Sequence, residues 1–148
     1  MSISTTPTVA AHLLPHRTPA ELLTIARRGV EDAARTRSEG LRFATAHLAA
    51  LRAATAVLAS RARPAPRRRN CVTSVWALLT LVAPELGEWA DYFATGAAKR
   101  AAAEAGIPRV VSPREADDLL RSVEQFVAVV EATLRLAHPP APSGLVAA

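Results

Sequence analysis

Five arginines fall within nine residues that contain no acid. They are Arg61, Arg63, Arg67, Arg68 and Arg69. A guanidinium group binds phosphate through paired hydrogen bonds, so five such groups on one short segment would attract a polyanion. No aromatic residue lies among them, so contacts would go to phosphates rather than to stacked bases. The alternative is a solvated Pro/Arg linker that only maintains solubility.

The chain's net charge of +5 comes from this segment. The sequence has 18 Lys and Arg against 13 Asp and Glu, and without the five arginines the bases and acids are equal in number. The basic character is therefore a local patch and not a field spread over the whole protein.

His47 is a second candidate for chemistry. It lies on a predicted helix with Phe43 one turn before it and Ala50 and Val57 after it, so it would face a neighbouring helix or a second subunit. A histidine that is hydrogen-bonded at such an interface is the structural alternative to a catalytic one.

Several other kinds of site are excluded by their missing motifs. The sequence contains no GxxxxGK, GxGxxG or HExxH motif and no cysteine pair, and we predict neither a cofactor nor a metal site. His12 and His16 have the spacing of a metal-binding pair on a helix, but Pro15 between them disfavours that helix.

The cellular compartment is predicted from the cysteine content and from the distribution of apolar residues. Cys71 is the only cysteine, so an intramolecular disulfide is impossible and a reducing environment is favoured. Residues 1–17 lack the apolar core of a signal peptide. The longest apolar run, residues 75–84, is about half of the roughly 20 residues that span a bilayer. We expect a cytoplasmic protein with no membrane contact.

The elements that position these residues are predicted to be helices. Alanine and leucine dominate the apolar half of the chain and aromatics supply 4%, which favours helices over sheets. Residues 18–136 form one predicted domain, between an N-terminal tail (1–17) and a C-terminal tail (137–148) that are rich in Pro, Ser, Thr and Ala.

Two capping boxes mark the starts of the first and last helices. Their residues are Thr18, Pro19 and Glu21, and Ser112, Pro113 and Glu115. The last helix then carries a stripe of apolar residues at helical spacing. This stripe comprises Leu119, Leu120, Val123, Phe126, Val127, Val130 and Leu134.

Two further helices lie between them. The second is predicted from Ser38 to about Arg63, where Pro64 and Pro66 follow, and a heptad seam predicts its buried face. The seam residues are Leu41, Ala44, Leu48, Leu51, Thr55 and Leu58. The third spans about 72–105, is kinked or split at Pro84, and ends at Gly106. Short connections predict an all-α, up-and-down bundle of four main helices.

Four segments of the chain resemble the HEPN superfamily (higher eukaryotes and prokaryotes nucleotide-binding), in particular an uncharacterised actinobacterial branch. They are RFATAHLAALRA (42–53), WALL (76–79), VAPELGEW (82–89) and SPREADDLL (112–120). The resemblance covers most of residues 18–136 and implies a helical bundle of four to five helices.

The resemblance also implies two kinds of function. Some members are metal-independent RNases with an Arg followed, after four to six residues, by a His, a spacing that Arg42 and His47 satisfy. Others bind nucleotides or partner proteins without catalysis. We predict a non-catalytic module that binds RNA or a nucleotide through the basic segment. An RNase that uses Arg42 and His47 is the first alternative, and a module for partner binding or homodimerisation is the second.

Overall fold

The computed structural model describes residues 8–10, 17–65 and 74–137, and in this part of the chain it contains six α-helices. They are α1 (Pro19–Arg35), α2 (Glu39–Arg61), α3 (Val75–Val82), α4 (Gly87–Thr95), α5 (Ala97–Glu104) and α6 (Pro113–Ala137). A turn of 3₁₀ helix, Pro84–Leu86, joins α3 to α4. The predicted all-α bundle is confirmed.

Two three-residue strands, which the sequence analysis did not predict, accompany the helices. β1 (Thr8–Ala10) and β2 (Arg63–Ala65) pair in parallel, with Val9 opposite Pro64. The pairing joins part of the predicted N-terminal tail to the chain that leaves α2. Residues 1–7, 11–16 and 138–148 lie outside the described residues.

Both predicted N-cap residues hold the starts of their helices, Thr18 at α1 and Ser112 at α6, and at α6 the complete capping box forms. The Thr18 hydroxyl accepts a hydrogen bond from the Glu21 amide at 3.1 Å. The Ser112 hydroxyl accepts from the Glu115 amide at 3.1 Å, and the Glu115 carboxylate accepts from the Ser112 amide at 3.3 Å. Amides that the first turn leaves without helical partners are thereby satisfied. The predicted apolar stripe of α6 faces the core.

The central element is α2, which packs against α1, α3, α5 and α6. Small side chains allow the close contacts: a Cβ placed on Gly29 of α1 would lie 3.0 Å from the Cβ of Ala49. By length and composition α2 could cross a membrane, but 61% of its apolar window is buried inside the protein. Packing in the core of the protein therefore accounts for the apolar composition of α2.

The predicted seam of α2 is wrong in part. Leu41 is 56% exposed and Leu48 is 37% exposed, whereas Ala44 and Leu58 are buried. The helix instead buries a face built mainly from alanines. That face comprises Phe43, Ala44, Ala46, His47, Ala49, Ala50, Ala53, Ala54, Ala56, Val57 and Leu58. Small residues are required on this face because the neighbouring helices approach α2 closely.

The predicted third helix is split at Pro84, and it breaks a second time at Gly96, which was not predicted. Gly106 ends α5 as predicted, with a φ of 78° that favours glycine. Its amide donates to the Ala103 carbonyl and the Ile107 amide donates to the Ala102 carbonyl, as in a Schellman motif.

Candidate functional site

His47 lies in the core on α2 and is completely buried. Its Nε2 atom is 2.8 Å from the carbonyl oxygen of Phe93 at the end of α4. Because a carbonyl oxygen can only accept, Nε2 carries the proton and donates it. Nδ1 is buried without a hydrogen-bond partner among the described residues. The structure thus places His47 at a contact between helices, as its position in the sequence predicted.

The surroundings of His47 favour the neutral imidazole. Burial lowers the pKa of His47 below its ordinary value of 6.5, and the nearby positive charge of Arg100 lowers it further. The hydrogen bond to the Phe93 carbonyl and the carboxylate of Glu104 act in the opposite direction but do not restore the pKa. A histidine in this state is a weak base and is held in one tautomer.

Aromatic rings and a glycine separate His47 from solvent. Phe43 stacks on the imidazole with 6.3 Å between centroids, and Trp76 contacts it edge-on at 5.8 Å. A surface groove of about 280 Å³ is lined by Phe43, Gly96 and neighbouring residues, but His47 does not line it. A Cβ on Gly96 would lie 3.3 Å from Cδ2 of His47, so the backbone of this break covers the ring. No substrate atom reaches His47 in this conformation.

Arg42 lies in the first turn of α2, where each of its three guanidinium nitrogens makes a contact. Nε donates to the Thr36 carbonyl at 3.0 Å and Nη2 donates to the Arg37 carbonyl at 2.9 Å. Nη1 forms an ion pair with Asp117 of α6 at 2.7 Å. The sequence did not indicate this last contact, because the two residues are 75 positions apart. The arginine connects the α1–α2 turn to α6.

The structure does not bring Arg42 and His47 together as a catalytic pair. The guanidinium binds the carbonyls before α2 and a carboxylate on α6, whereas the imidazole points to the end of α4. Residues five positions apart on a helix point about 140° away from each other, which explains the separation. In this conformation the pair cannot contact one phosphate.

Only part of the basic segment lies among the described residues. Arg61 ends α2, and its guanidinium forms an ion pair with Glu85 of the 3₁₀ turn. Burial alone would raise the pKa of Glu85, but hydrogen bonds from the backbone and from Arg61 outweigh it and leave the pKa below its ordinary value. Arg63 begins β2. Arg67, Arg68 and Arg69 lie outside the described residues.

The structure also reveals a feature that the sequence analysis missed. Arg28 of α1 and Arg52 of α2 line one groove of about 360 Å³, and neither takes part in an ion pair with a described residue. Exposed arginines are common on this chain, so the sequence alone did not indicate that Arg28 and Arg52 line the same groove.

Among residues 17–65 and 74–137, no three His, Cys, Asp or Glu side chains are grouped so as to hold a metal ion.

Comparison with known proteins identifies the family. The family model described as SAV_6107-like HEPN matches residues 33–131, which is more than half of the chain. No curated protein matches, and no solved structure matches. The matched region begins near the end of α1 and contains the whole of α2 to α5 and most of α6. With this match and an all-α fold that agrees with it, the chain belongs to the SAV_6107-like HEPN family.

Proposed function

We propose that this protein is a non-catalytic HEPN module that binds RNA or a nucleotide through phosphate contacts of the basic segment. The proposal that the module is non-catalytic rests on the burial and the contacts of Arg42 and His47, the two residues that fit the RNase spacing. His47 is buried with Nε2 on a backbone carbonyl, and the guanidinium of Arg42 is engaged by two carbonyls and Asp117. Both side chains have structural roles that account for them.

The binding part rests on family membership and on charge. The five arginines follow one another from the last turn of α2 into the chain beyond it, and no acid separates them in the sequence. In the structure Glu85 neutralises Arg61, so a phosphate would have to displace that carboxylate. We therefore expect the principal contacts from Arg67, Arg68 and Arg69, with a smaller contribution from Arg61 and Arg63.

The test is RNA binding by the purified full chain, measured by fluorescence anisotropy with a labelled single-stranded RNA of mixed sequence at several salt concentrations. Replacing Arg67, Arg68 and Arg69 together with Ala should weaken binding at least tenfold at low salt. Each lost phosphate contact should also flatten the slope of log K against log salt by roughly 0.7. The change in slope identifies lost phosphate contacts, which a general loss of affinity does not.

A matched control removes the same charge elsewhere. Arg17, Arg114 and Arg121 are exposed and take part in no ion pair with a described residue. Their triple replacement with Ala should leave the salt slope nearly unchanged. Equal losses in the two triple variants would show that binding follows net charge only, and absence of binding at low salt would refute the proposal.

Catalysis is tested separately by incubating the same RNA with the protein in the presence of a metal chelator. We expect no cleavage. Metal-free cleavage by the wild type that disappears in His47→Gln, with the helical circular-dichroism spectrum retained, would contradict the non-catalytic assignment and support the RNase that the Arg42 and His47 spacing implies.

A further inference from the structure

The outer face of α2 carries a stripe with two exposed leucines that no other part of the described chain covers. Leu41, Thr45, Leu48 and Arg52 succeed one another at helical spacing, and both leucines are exposed. Both leucines belong to the heptad seam of α2, which the sequence analysis predicted to be buried. Two exposed leucines two turns apart on one helix face offer another molecule an apolar surface to pack against.

Beside this stripe runs a groove between α1 and α2. It has a volume of about 360 Å³, and its apolar walls include Ile25 of α1 and Leu48 of α2. At its base the two helices approach closely, because Gly29 has no side chain and Ala49 has only a methyl group. The groove is therefore shallow and smooth, and it is large enough for one or two aliphatic side chains of a partner.

The groove is positively charged at its edges. Arg28 lines it from α1 and Arg52 lines it from α2, and both are exposed. The acid at this groove, Asp32, is held at 2.7 Å by Arg35 and leaves the other two guanidinium groups without an ion-pair partner in the described part of the chain. An apolar floor between two cations is complementary to a ligand with an apolar centre and acidic flanks.

We propose that this α1–α2 face (Ile25, Arg28, Thr45, Leu48 and Arg52) docks an acidic amphipathic helix of a partner protein. Apolar side chains of that helix, spaced three or four residues apart, would seat beside Leu48, and its carboxylates would bind Arg28 and Arg52. Binding of this kind is distinct from the phosphate contacts proposed for the basic segment and does not depend on them.

The chemistry of the face favours such a helix over RNA. None of the described residues that line the groove is aromatic, so bases have no stacking platform there, and the surface between the two guanidinium groups includes the aliphatic side chains of Ile25 and Leu48. A second copy of this chain is also disfavoured. A two-fold contact would bring the same face onto itself, so the unpaired cations Arg28 and Arg52 of both copies would be brought into one interface.

The experiment uses the full chain and a labelled synthetic peptide of about 18 residues, long enough for an isolated helix to form. The peptide has leucines at helical spacing and glutamates on their flanks, and a twin peptide replaces every glutamate with lysine. Fluorescence anisotropy should show binding of the acidic peptide that weakens as salt is raised, and at least tenfold weaker binding of the lysine twin. Equal binding of the two peptides would overturn the charge argument.

Variants then locate the binding surface. Arg28→Glu with Arg52→Glu should weaken binding of the acidic peptide at least tenfold, and Leu48→Ser should do so without a change in net charge. Arg114→Glu with Arg121→Glu, on α6, makes the same charge change as the first pair and should have little effect. If the α6 pair weakens binding as much as the groove pair, or if Leu48→Ser has no effect, the proposal fails.

Two further measurements distinguish the other occupants. Sedimentation of the free chain should give the same mass for the wild type and for Leu48→Ser, whereas a dimer that Leu48→Ser dissociates would show that the face is a self-interface and overturn the proposal. RNA affinity should be the same for the wild type and for the variant with Arg28→Glu and Arg52→Glu. Loss of RNA binding in that variant, with peptide binding unaffected, would assign the face to RNA instead.

Discussion

The burial of His47 predicts an acid-sensitive stability that a single substitution should abolish. The folded state holds the imidazole neutral with a lowered pKa, whereas in the unfolded chain it titrates near its ordinary value of 6.5. Below that value the unfolded state therefore binds more protons than the folded state, and each further drop in pH favours unfolding. The stabilising effect of the buried neutral ring is complete above pH 6.5 and is lost as the pH falls toward the folded pKa.

The size of the effect follows from linkage for one proton. The free energy of unfolding can fall by at most about 1.4 kcal/mol per pH unit, and this slope ends once the pH passes the folded pKa. Glu85 and Glu115 have pKa values below 4.5, so their stabilising ion pairs are lost only in more acidic solution. Between pH 7.5 and 5.5 the loss of unfolding free energy due to His47 is therefore at most about 1.4 kcal/mol, and it is the main pH-dependent change expected in that range.

The assay is urea unfolding followed by circular dichroism at several pH values in that range, for the wild type and for His47→Gln. A glutamine amide can still donate to the Phe93 carbonyl but does not titrate, so this variant should show a nearly flat stability profile. The remaining histidines, His12, His16 and His138, lie outside the described residues, and their joint replacement with Gln serves as the control that should retain the wild-type slope. If His47→Gln retains the pH dependence of the unfolding free energy and the triple variant loses it, His47 is not the group that titrates. An NMR titration of the His47 ring that begins near pH 6.5 would refute the argument as well.

Two further predictions concern packing and the structural role of an arginine. Gly29→Ala should lower the free energy of unfolding by about 1–3 kcal/mol despite alanine's helix propensity, because the new methyl would lie 3.0 Å from Ala49, and Ala49→Gly should relieve it. Gly40→Ala, where the nearest atom would be 3.7 Å away, should instead stabilise by about 0.5–1 kcal/mol. Arg42→Lys should cost about 1–3 kcal/mol because an ammonium group cannot reproduce all three contacts. Asp117→Asn should cost less than about 1 kcal/mol because that carboxylate is 55% exposed, and urea unfolding compares the two. Equal costs for the last two variants would contradict the role given to the carbonyl contacts.

The features that the sequence predicted correctly depend on local chemistry. The two capping boxes and the glycine after α5 act within a few residues of the helix ends, so their effect can be derived from the sequence around Thr18, Ser112 and Gly106. The buried stripe of α6 could also be predicted, because large apolar residues recur there at helical spacing with charged residues between them. The bundle class follows from these signals together.

The features that the sequence did not reveal depend on contacts between distant helices. Alanine gives a weak hydropathy signal, so the leucines of α2 dominated the predicted seam although alanines form the buried face. At the break, Gly96 lies close to His47 and Phe43, a contact between distant positions that the pattern of residues does not reveal. The pairing of Arg42 with Asp117 was missed for the same reason, because the two residues are 75 positions apart in the sequence.

Arg52 of the α1–α2 face and Arg61, the first arginine of the basic segment, lie at different positions on α2, so the two proposed activities should be separable by mutation. Arg52 lines the α1–α2 groove, whereas Arg61 pairs with Glu85 beyond α3. Nine residues of helix place these two arginines roughly 13 Å apart along the axis and on opposite sides of it. At physiological salt, charges separated by more than about 8 Å of solvent are largely screened from each other. A change of charge at the α1–α2 face should then leave RNA binding by the basic segment intact. One HEPN domain of this size could in that case hold a protein partner and a polyanion at the same time, with α2 as the rigid element between them.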